Sequence, residues 1–457
     1  MNGRSRTRAY RAVPAVRPPQ PIRFPDVQPL DAGPLRVLLA ERSGMPILDL
    51  HLVFRHGATN DPPARPGTAS MTTSTLDAGT RTRSQIDIAR RLETLGTALA
   101  VHATWDHTSI GVRVLSDRLA PALDLLAELA REPAFPDTEV AHRKQLRIEA
   151  ILQESDEPDI IASHAIARAI FGPDHPYGRP SAGTRASITA LTRADIERFH
   201  QEHCRPGNAF LIAAGDADEE TLQRAASKAF GPWDPGTPAS TITAPEPAPV
   251  QPRIRLIDRP GAPQSEVRIG AVGAERRSDD YFDLLVLNTM LGGSFTSRLN
   301  LRLREERGIT YGAFSRFAFR RSRGPFVAGT AVDAASTHLA IADTLDVFDT
   351  IGSDIAPEEE IDRARRYLSL GLVHGLETNA GVAARVAEVE VHSLGAGYYG
   401  GYVDRIIAVT AESVREAAAR YLDPRSLAFV VVGDGRRVRK GLEGLGIGPV
   451  EEVAHAV

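Results

Sequence analysis

The stretch RPGNAFLIAAGDAD, residues 205–218, decides the fold, because its pattern occurs again as DPRSLAFVVVGDGR at residues 423–436. In both stretches a turn precedes an apolar run that ends on Gly-Asp, and Gly215 and Gly433 lie 218 residues apart. A second matching pair, residues 108–146 and 326–368, places Pro136 and Pro357 at a spacing of 221 residues. Two features at nearly one spacing indicate a duplicated domain.

Each predicted copy mixes strands and helices without regular alternation. LRVLLAERSGMPILDLHLVF (35–54) and IRLIDRPGAPQSEVRIGAVG (254–273) have the apolar runs of paired strands, and helical patterns follow at 82–96 and 278–293. The sequence therefore predicts an α+β fold of two homologous domains, each a mostly antiparallel sheet with helices packed on one face.

The domain boundaries follow from composition. The segment WDPGTPASTITAPEPAPVQP, residues 233–252, is rich in proline, serine and threonine, which is typical of a linker. We therefore expect an N-terminal extension at 1–24, a first repeat at 25–232, the linker, and a second repeat at 253–457.

Bulk composition excludes several classes of function. The net charge is −4 and no long basic stretch occurs, which argues against nucleic-acid binding. Cys204 is the single cysteine, so an internal disulfide framework is excluded. The basic, proline-rich start has no apolar signal core, and no run of 18 apolar residues occurs. We expect a cytoplasmic protein without membrane contact.

Histidines provide the first candidate chemistry. Arg-His-Gly-x-Thr around His56 resembles the histidine phosphatase pattern, but the surrounding sequence does not, and a strand end followed by a solvated turn is the favoured interpretation. His200 and His203 are three residues apart near a predicted helix end, where the helix dipole alone favours histidine. His102 and His107 are five apart on an expected strand, so they should face opposite sides of the sheet.

The run GGSFTSRLNLRLREERGITYGAFSRF, residues 292–317, is the more informative candidate. Arg304 offers a planar donor fork and Tyr311 a phenolic donor, which together suit a peptide carbonyl or a developing oxyanion. A surface helix followed by a strand would produce the same pattern. The residues alone leave both interpretations open.

A family resemblance joins these segments. HLVFRHGATNDPPARPGTA (51–69), FGPDHPYGRPSAGT (171–184), HCRPGNAFLIAAGD (203–216) and LGGSFTSRLNLRLREERGITYGA (291–313) resemble four landmarks of the M16 peptidases, the pitrilysin, insulinase and mitochondrial processing-peptidase group. The resemblance covers roughly residues 25–450. It implies the LuxS/M16 metallopeptidase-like form of the two-domain α+β fold.

The same resemblance implies that the zinc site is degenerate. Active members carry His-x-x-Glu-His within the frame that this chain fills with GTASMTTSTLDAGTRTRS, residues 67–84. The two histidines correspond to Ser70 and Ser74, the general base to Thr73, and the third ligand to Ile151. Glu149 and Glu154 lie out of register. Serine, threonine and isoleucine do not form a zinc site, so we expect no metal in this chain.

The resemblance also implies a role for the second repeat. Arg304 and Tyr311 match the pair that holds substrate and the tetrahedral intermediate, and the loop of Gly292, Gly293, Ser294 and Phe295 would contact substrate. A chain with this pair and no zinc ligands resembles the non-zinc subunit of a heterodimer. Its partner would carry zinc and an intact His-x-x-Glu-His, and the substrates would be short unfolded peptides.

Alternatives within the same fold remain. One is a catalytically inactive core-type subunit of a respiratory complex, which the retained Arg304 and Tyr311 disfavour. Another is the substrate-binding subunit of a mitochondrial processing peptidase, which has a long glycine-rich loop where this chain has only Gly292-Gly293-Ser294. A homodimeric peptide-binding protein is the third.

Overall fold

The computed structural model describes residues 23–236 and 242–454, and these form two six-stranded sheets, one in each half of the chain. The prediction of two similar α+β domains is confirmed. The strands of the first half are β1 (Val27–Ala32), β2 (Leu35–Glu41), β3 (Ile47–Phe54), β4 (Ala100–Ala103), β5 (Thr108–Leu115) and β6 (Ala209–Gly215). Its helices are α1 (Thr68–Ser74), α2 (Gln85–Thr94), α3 (Leu119–Arg131), α4 (Asp137–Glu154), α5 (Pro158–Phe171), α6 (Arg185–Ala190), α7 (Arg193–His203) and α8 (Glu219–Phe230).

The second half repeats this plan with two π-helical segments added. Its strands are β7 (Ile254–Asp258), β8 (Gln264–Val272), β9 (Ala313–Phe317), β10 (Pro325–Asp333), β11 (Ala428–Gly433) and β12 (Val450–Glu452). Its helices are α9 (Tyr281–Asn288), α10 (Thr337–Ser353), α11 (Glu358–Gly375), α12 (Asn379–Val391), α13 (Tyr402–Ile407), α14 (Ala411–Tyr421) and α15 (Gly435–Glu443). The π-helical segments are Thr289–Gly293 and Asn300–Glu306.

Five strands follow an equivalent order in both sheets, and the sixth differs, since β1 forms the edge beside β2 and β12 forms the edge beside β7. The first sheet runs β1-β2-β6-β3-β5-β4, with β2 and β6 parallel and the other neighbours antiparallel. The second runs β12-β7-β11-β8-β10-β9, with β7 parallel to both of its neighbours. The two apolar runs that reveal the duplication, β6 and β11, occupy the third place of their sheets.

A layer of helices covers one face of each sheet, as expected. In the first half, α3 and α8 pack on the sheet through a core that includes Leu123, Leu126 and Phe230. In the second half, α9, α10 and α14 bury a core around Phe326 and Phe348. This packing follows from the amphipathic pattern of the helices and the alternating pattern of β5 and β10.

The opposite face of each sheet is covered by a helix from the other half of the chain. Helix α5 of the first half buries Ile161, Ile166 and Ile170 against β11 of the second sheet. Helix α12 of the second half packs Val382 and Val386 onto the first sheet. β6 and β11 are buried on both faces, which explains why their sequences are continuous apolar runs rather than alternating ones.

Close approach of α5 depends on a glycine. A side chain at Gly270 of β8 would place its Cβ 2.8 Å from Ile170 Cδ1 and 2.8 Å from the Phe326 carbonyl oxygen. Helices α5 and α12, each packed on the sheet of the other half, therefore hold the two repeats together through apolar contacts.

The predicted boundaries remain predictions. Residues 1–22 of the expected extension and 237–241 of the expected linker lie outside the described residues. On either side of that gap the chain is packed, with Trp233 5% and Ala244 7% exposed. No helix within 23–236 and 242–454 is long and apolar enough to cross a membrane.

Candidate functional site

Helix α1 carries Ser70, Thr73 and Ser74, the positions that the resemblance matches to a zinc motif, and it has an acidic anchor at its start. Gly67 precedes it with φ 93°, a left-handed conformation that favours glycine. The Asp61 carboxylate accepts hydrogen bonds from the backbone N–H groups of Gly67 at 2.6 Å and Ala69 at 2.7 Å. Burial raises the pKa of Asp61 to about 7. The start of α1 is therefore held by Asp61, a residue that the sequence alone did not mark as important.

The hydroxyl groups of Thr73 and Ser74 bond within the helix. Thr73 Oγ1 donates to the Ala69 carbonyl at 2.8 Å, and Ser74 Oγ donates to the Met71 carbonyl at 3.1 Å. Ser70 is half-buried, and Ile151 of α4 is buried in the first core. In the described part of the chain, no group of three or more His, Cys, Asp and Glu residues could hold a metal ion. The residues present do not fit zinc.

Charged groups near Ile151 are engaged elsewhere. Glu154 pairs with Arg147 through bonds of 2.6 and 3.0 Å, and Glu149 accepts from Gln145 at 2.9 Å. Arg143 donates to the Ser74 carbonyl at 3.0 Å, which brings a guanidinium to the C-terminal end of α1. The same guanidinium donates to the Asp77 carboxylate at 3.0 Å, so its charge is compensated by a neighbouring acid.

The second-repeat loop starts where α9 changes into the π-helical segment Thr289–Gly293. A Cβ at Gly292 would lie 2.3 Å from the Ser315 backbone nitrogen, and one at Gly293 would lie 2.6 Å from Asn288 Nδ2. Both glycines are therefore required for packing against β9 and α9, whatever else the loop contacts.

Asn300 connects this loop to β9. Its connecting role was not predicted from the sequence. Its Nδ2 donates to the carbonyls of Ser294 at 3.2 Å and Ala313 at 2.8 Å, and its Oδ1 accepts from the Ala313 N–H at 3.0 Å. The residue is only 7% exposed. A lone asparagine inside an arginine-rich helical segment carries no local signal of such a role, because both partners lie outside its own turn.

Arg304 and Tyr311 both lie at the surface beyond this connection. Arg304 projects from the last turn of Asn300–Glu306, and its guanidinium carbon is 4.2 Å from the centroid of the Phe295 ring. Tyr311 lies in the loop before β9 and is 94% exposed. The neighbouring Arg302 and Arg307 pair with the buried Asp343, whereas Arg304 has only a longer ion pair of 3.6 Å, with the exposed Glu305. The local geometry thus leaves Arg304 and Tyr311 accessible to another molecule.

The histidine candidates fall into two groups. His56 is 2% exposed, its Nε2 lies 3.2 Å from Thr108 Oγ1, and burial lowers its pKa well below the usual value. His203 lies against it with ring centroids 5.4 Å apart, whereas His200 Nε2 contacts the Ala130 carbonyl at 2.8 Å. These side chains are packed into the first domain. The motif does end a strand, but the expectation of a solvated turn is wrong, because residues 56–61 are buried.

The expectation that His102 and His107 face opposite sides is wrong. Both line one cavity beside α12, because β4 ends at Ala103 and His107 lies in the turn that leads into β5. The period-two argument applied only to an unbroken strand.

The two α+β repeats, each built on a six-stranded sheet, have the fold of an M16-type peptidase, and this is the class of the protein. Residues 36–184 match the family model described as Insulinase (Peptidase family M16), and residues 190–368 match the model described as Peptidase M16 inactive domain. The chain belongs to the M16 peptidase family.

Curated relatives resemble the chain over most of its length. An uncharacterized zinc protease of Mycobacterium tuberculosis is 29% identical over 385 residues, covering 80% of this chain and 84% of the relative. An uncharacterized zinc protease of Streptomyces coelicolor is 27% identical over 386 residues, covering 82% of each.

Solved structures agree in fold. The peptidase M16 inactive domain from Pseudomonas fluorescens aligns with a TM-score of 0.83 and 28% identity, over 90% of this chain and 98% of that one. A protease from Helicobacter pylori gives a TM-score of 0.82 at 17% identity, over 90% and 100%. A chain of Complex III2 from Candida albicans gives 0.76 at 16%, over 92% and 99%, and this likeness concerns the fold alone.

Proposed function

We propose that this chain is the non-zinc subunit of a heterodimeric M16 peptidase that cleaves short unfolded peptides. A partner with an intact His-x-x-Glu-His would carry the zinc, and this chain would supply Arg304 and Tyr311. The main support for the proposal is a contrast between polar side chains of the two repeats. The hydroxyls of Thr73 and Ser74 are bonded within α1, whereas the Tyr311 side chain is 94% exposed. A cytoplasmic location belongs to the same proposal.

The two side chains would act on different states of the substrate. The cleavage step itself would belong to the partner, since this chain does not fit a metal. Tyr311 would donate its O–H to the oxygen of the scissile carbonyl as negative charge develops there, which stabilises the transition state. Arg304 would bind a peptide carbonyl or carboxylate already in the ground state. The loop of Gly292, Gly293, Ser294 and Phe295 would contact the peptide beside them.

Kinetics of the reconstituted heterodimer test this division of roles. Tyr311→Phe removes only the hydroxyl, so kcat should fall by about 10²-fold, the effect of losing one oxyanion donor, with little change in KM. Arg304→Ala should raise KM as well. Matched controls are Tyr367→Phe, a tyrosine 56% exposed on α11, and Arg224→Ala on the exposed face of α8.

Two results would contradict the proposal. Peptide hydrolysis by this chain alone would remove the need for a partner. Wild-type rates for both variants in the heterodimer would assign the chain a structural role, as in a core-type subunit.

A further inference from the structure

A cavity of about 570 Å³ lies between the first sheet and α12 and is lined by residues of both halves of the chain. The face of α12 that borders it carries small side chains, Ala380, Ala383, Ala384 and Ala387, and their size creates the space. The polar side chains of its wall are His51, His102, His107, Ser109, Arg276, Glu388 and His392. Two aromatic side chains, Tyr281 and Phe319, complete it.

Three buried nitrogen atoms of this wall lack hydrogen-bond partners among the described residues. They are Arg276 Nη2, His51 Nε2 and His392 Nδ1. Arg276 is only 3% exposed, so its free N–H group has no access to bulk water. A buried donor left without an acceptor destabilises the folded chain. An occupant with acceptor oxygens would satisfy it, and a neutral imidazole can turn its N–H toward the same occupant by choice of tautomer.

The charge balance at Arg276 favours an anionic acceptor. Glu388 accepts from Arg276 Nε at 2.7 Å and from Arg385 Nη1 at 3.0 Å. One carboxylate between two guanidiniums leaves a net charge of +1 at this end of the cavity. Burial lowers the pKa of His392 to about 4, so the imidazole is neutral at pH 7 and adds a polar contact rather than charge. Both oxygens of Glu388 are already engaged, the second also by Tyr399.

We propose that this cavity binds a carboxylate group, either of a free small organic acid or of a peptide C-terminus. One carboxylate oxygen accepts from Arg276 Nη2 and the other from His51 or His392. The aromatic rings of Tyr281 and Phe319 and the alanine face of α12 contact an apolar body attached to the carboxylate. The site is independent of the proposed peptidase role, because it uses neither Arg304 nor Tyr311 and requires no partner subunit.

Isothermal titration calorimetry of the full chain tests the charge requirement with an isosteric pair. N-acetylphenylalanine should bind with Kd below about 1 mM, and N-acetylphenylalaninamide should bind at least tenfold more weakly, because the amide loses the charge and one acceptor oxygen. A pentapeptide that ends in phenylalanine, as free acid and as C-terminal amide, separates the two sources. Binding of the peptide acid identifies peptide C-termini, and binding of the small acid alone identifies free acids.

Variants locate the binding. Ala384 is an exposed residue of the cavity rim, so Ala384→Leu fills the space without entering the core and should weaken N-acetylphenylalanine at least tenfold. Ala419→Leu, on an exposed position of α14, is the matched control and should bind like the parent. His51→Gln should weaken binding about threefold or more. Equal affinities for acid and amide, absence of binding at 10 mM, or full binding by Ala384→Leu would overturn the proposal.

Discussion

The Arg304 guanidinium carbon lies 4.2 Å from the centroid of the Phe295 ring, and this ring is itself 68% exposed. Stacking of this kind at an exposed site contributes about 0.5–1 kcal/mol. Phe295→Ala should therefore leave Arg304 less well oriented and raise KM of the heterodimer about two- to fivefold. The kcat should hardly change, because Tyr311 is untouched.

Phe295→Tyr keeps the ring and should retain the parental KM. Leu301 is 44% exposed and lies in the π-helical segment that carries Arg304. Leu301→Ala therefore controls for a general loss of apolar surface. If Phe295→Ala lowered kcat as strongly as Tyr311→Phe, the ring would act in the transition state and the assigned role would be incorrect.

The zinc content of the purified chain should reflect the absence of zinc-binding side chains on α1. The purified chain should contain far less than one zinc per molecule, since hydroxyls at Ser70 and Ser74 and an alkyl chain at Ile151 do not bind zinc. Inductively coupled plasma mass spectrometry after dialysis measures this directly. One zinc per chain that is lost in Ser74→Ala would refute it.

The retained frame should accept a zinc site when its ligands are supplied. The triple substitution Ser70→His, Ser74→His and Ile151→Glu adds two imidazoles on one helix face and one carboxylate. We expect about one zinc per chain and a Tm that rises when zinc is added, because metal stabilises only the folded form. Since Ile151 is 6% exposed, the metal-free variant should melt below the parent. A Tm unaffected by zinc would show that α1 and α4 no longer keep the family geometry.

Packing of α5 against the second sheet should make the two halves unfold together. Ile166 is 2% exposed within this contact, so Ile166→Ala should lower the free energy of unfolding by about 3 kcal/mol. Denaturant titration followed by circular dichroism should still show one transition. Leu152→Ala, at a position 40% exposed on α4, should change stability little. Two separated transitions in the parent would contradict the coupling.

Acid should destabilise the first domain through His200. Burial lowers the pKa of this imidazole to about 4, whereas the unfolded chain titrates near the ordinary value of about 6.5. As pH falls, the unfolded state binds the proton first, so the contribution of His200 to folding stability decreases by about 2–3 kcal/mol between about pH 6.5 and 4 and does not change above pH 7. Stability curves of His200→Gln should be flatter in this window. His142→Gln, an exposed position of α4, should keep the parental slope.

Much of the architecture could be predicted from local sequence. The repeated apolar runs at 205–218 and 423–436 became β6 and β11, at equivalent places in two sheets. The helical patterns at 82–96 and 278–293 also became helices, α2 in the first half and α9 with the segment Thr289–Gly293 in the second. These features depend on residues close together in the chain, and burial of a continuous apolar strand or an amphipathic face leaves a direct pattern.

The sequence by itself determined the duplicated fold and the presence of serine at positions 70 and 74 and isoleucine at position 151, side chains that do not form a zinc site. Only the tertiary structure decided which helix covers which sheet, because an apolar face has no preferred partner until the chain is folded. The same holds for Asn300, whose hydrogen bonds reach Ser294 and Ala313, and for the cavity that joins His51 of the first repeat to Arg276 and His392 of the second. Contacts between residues far apart in the chain leave no periodic trace in one sequence.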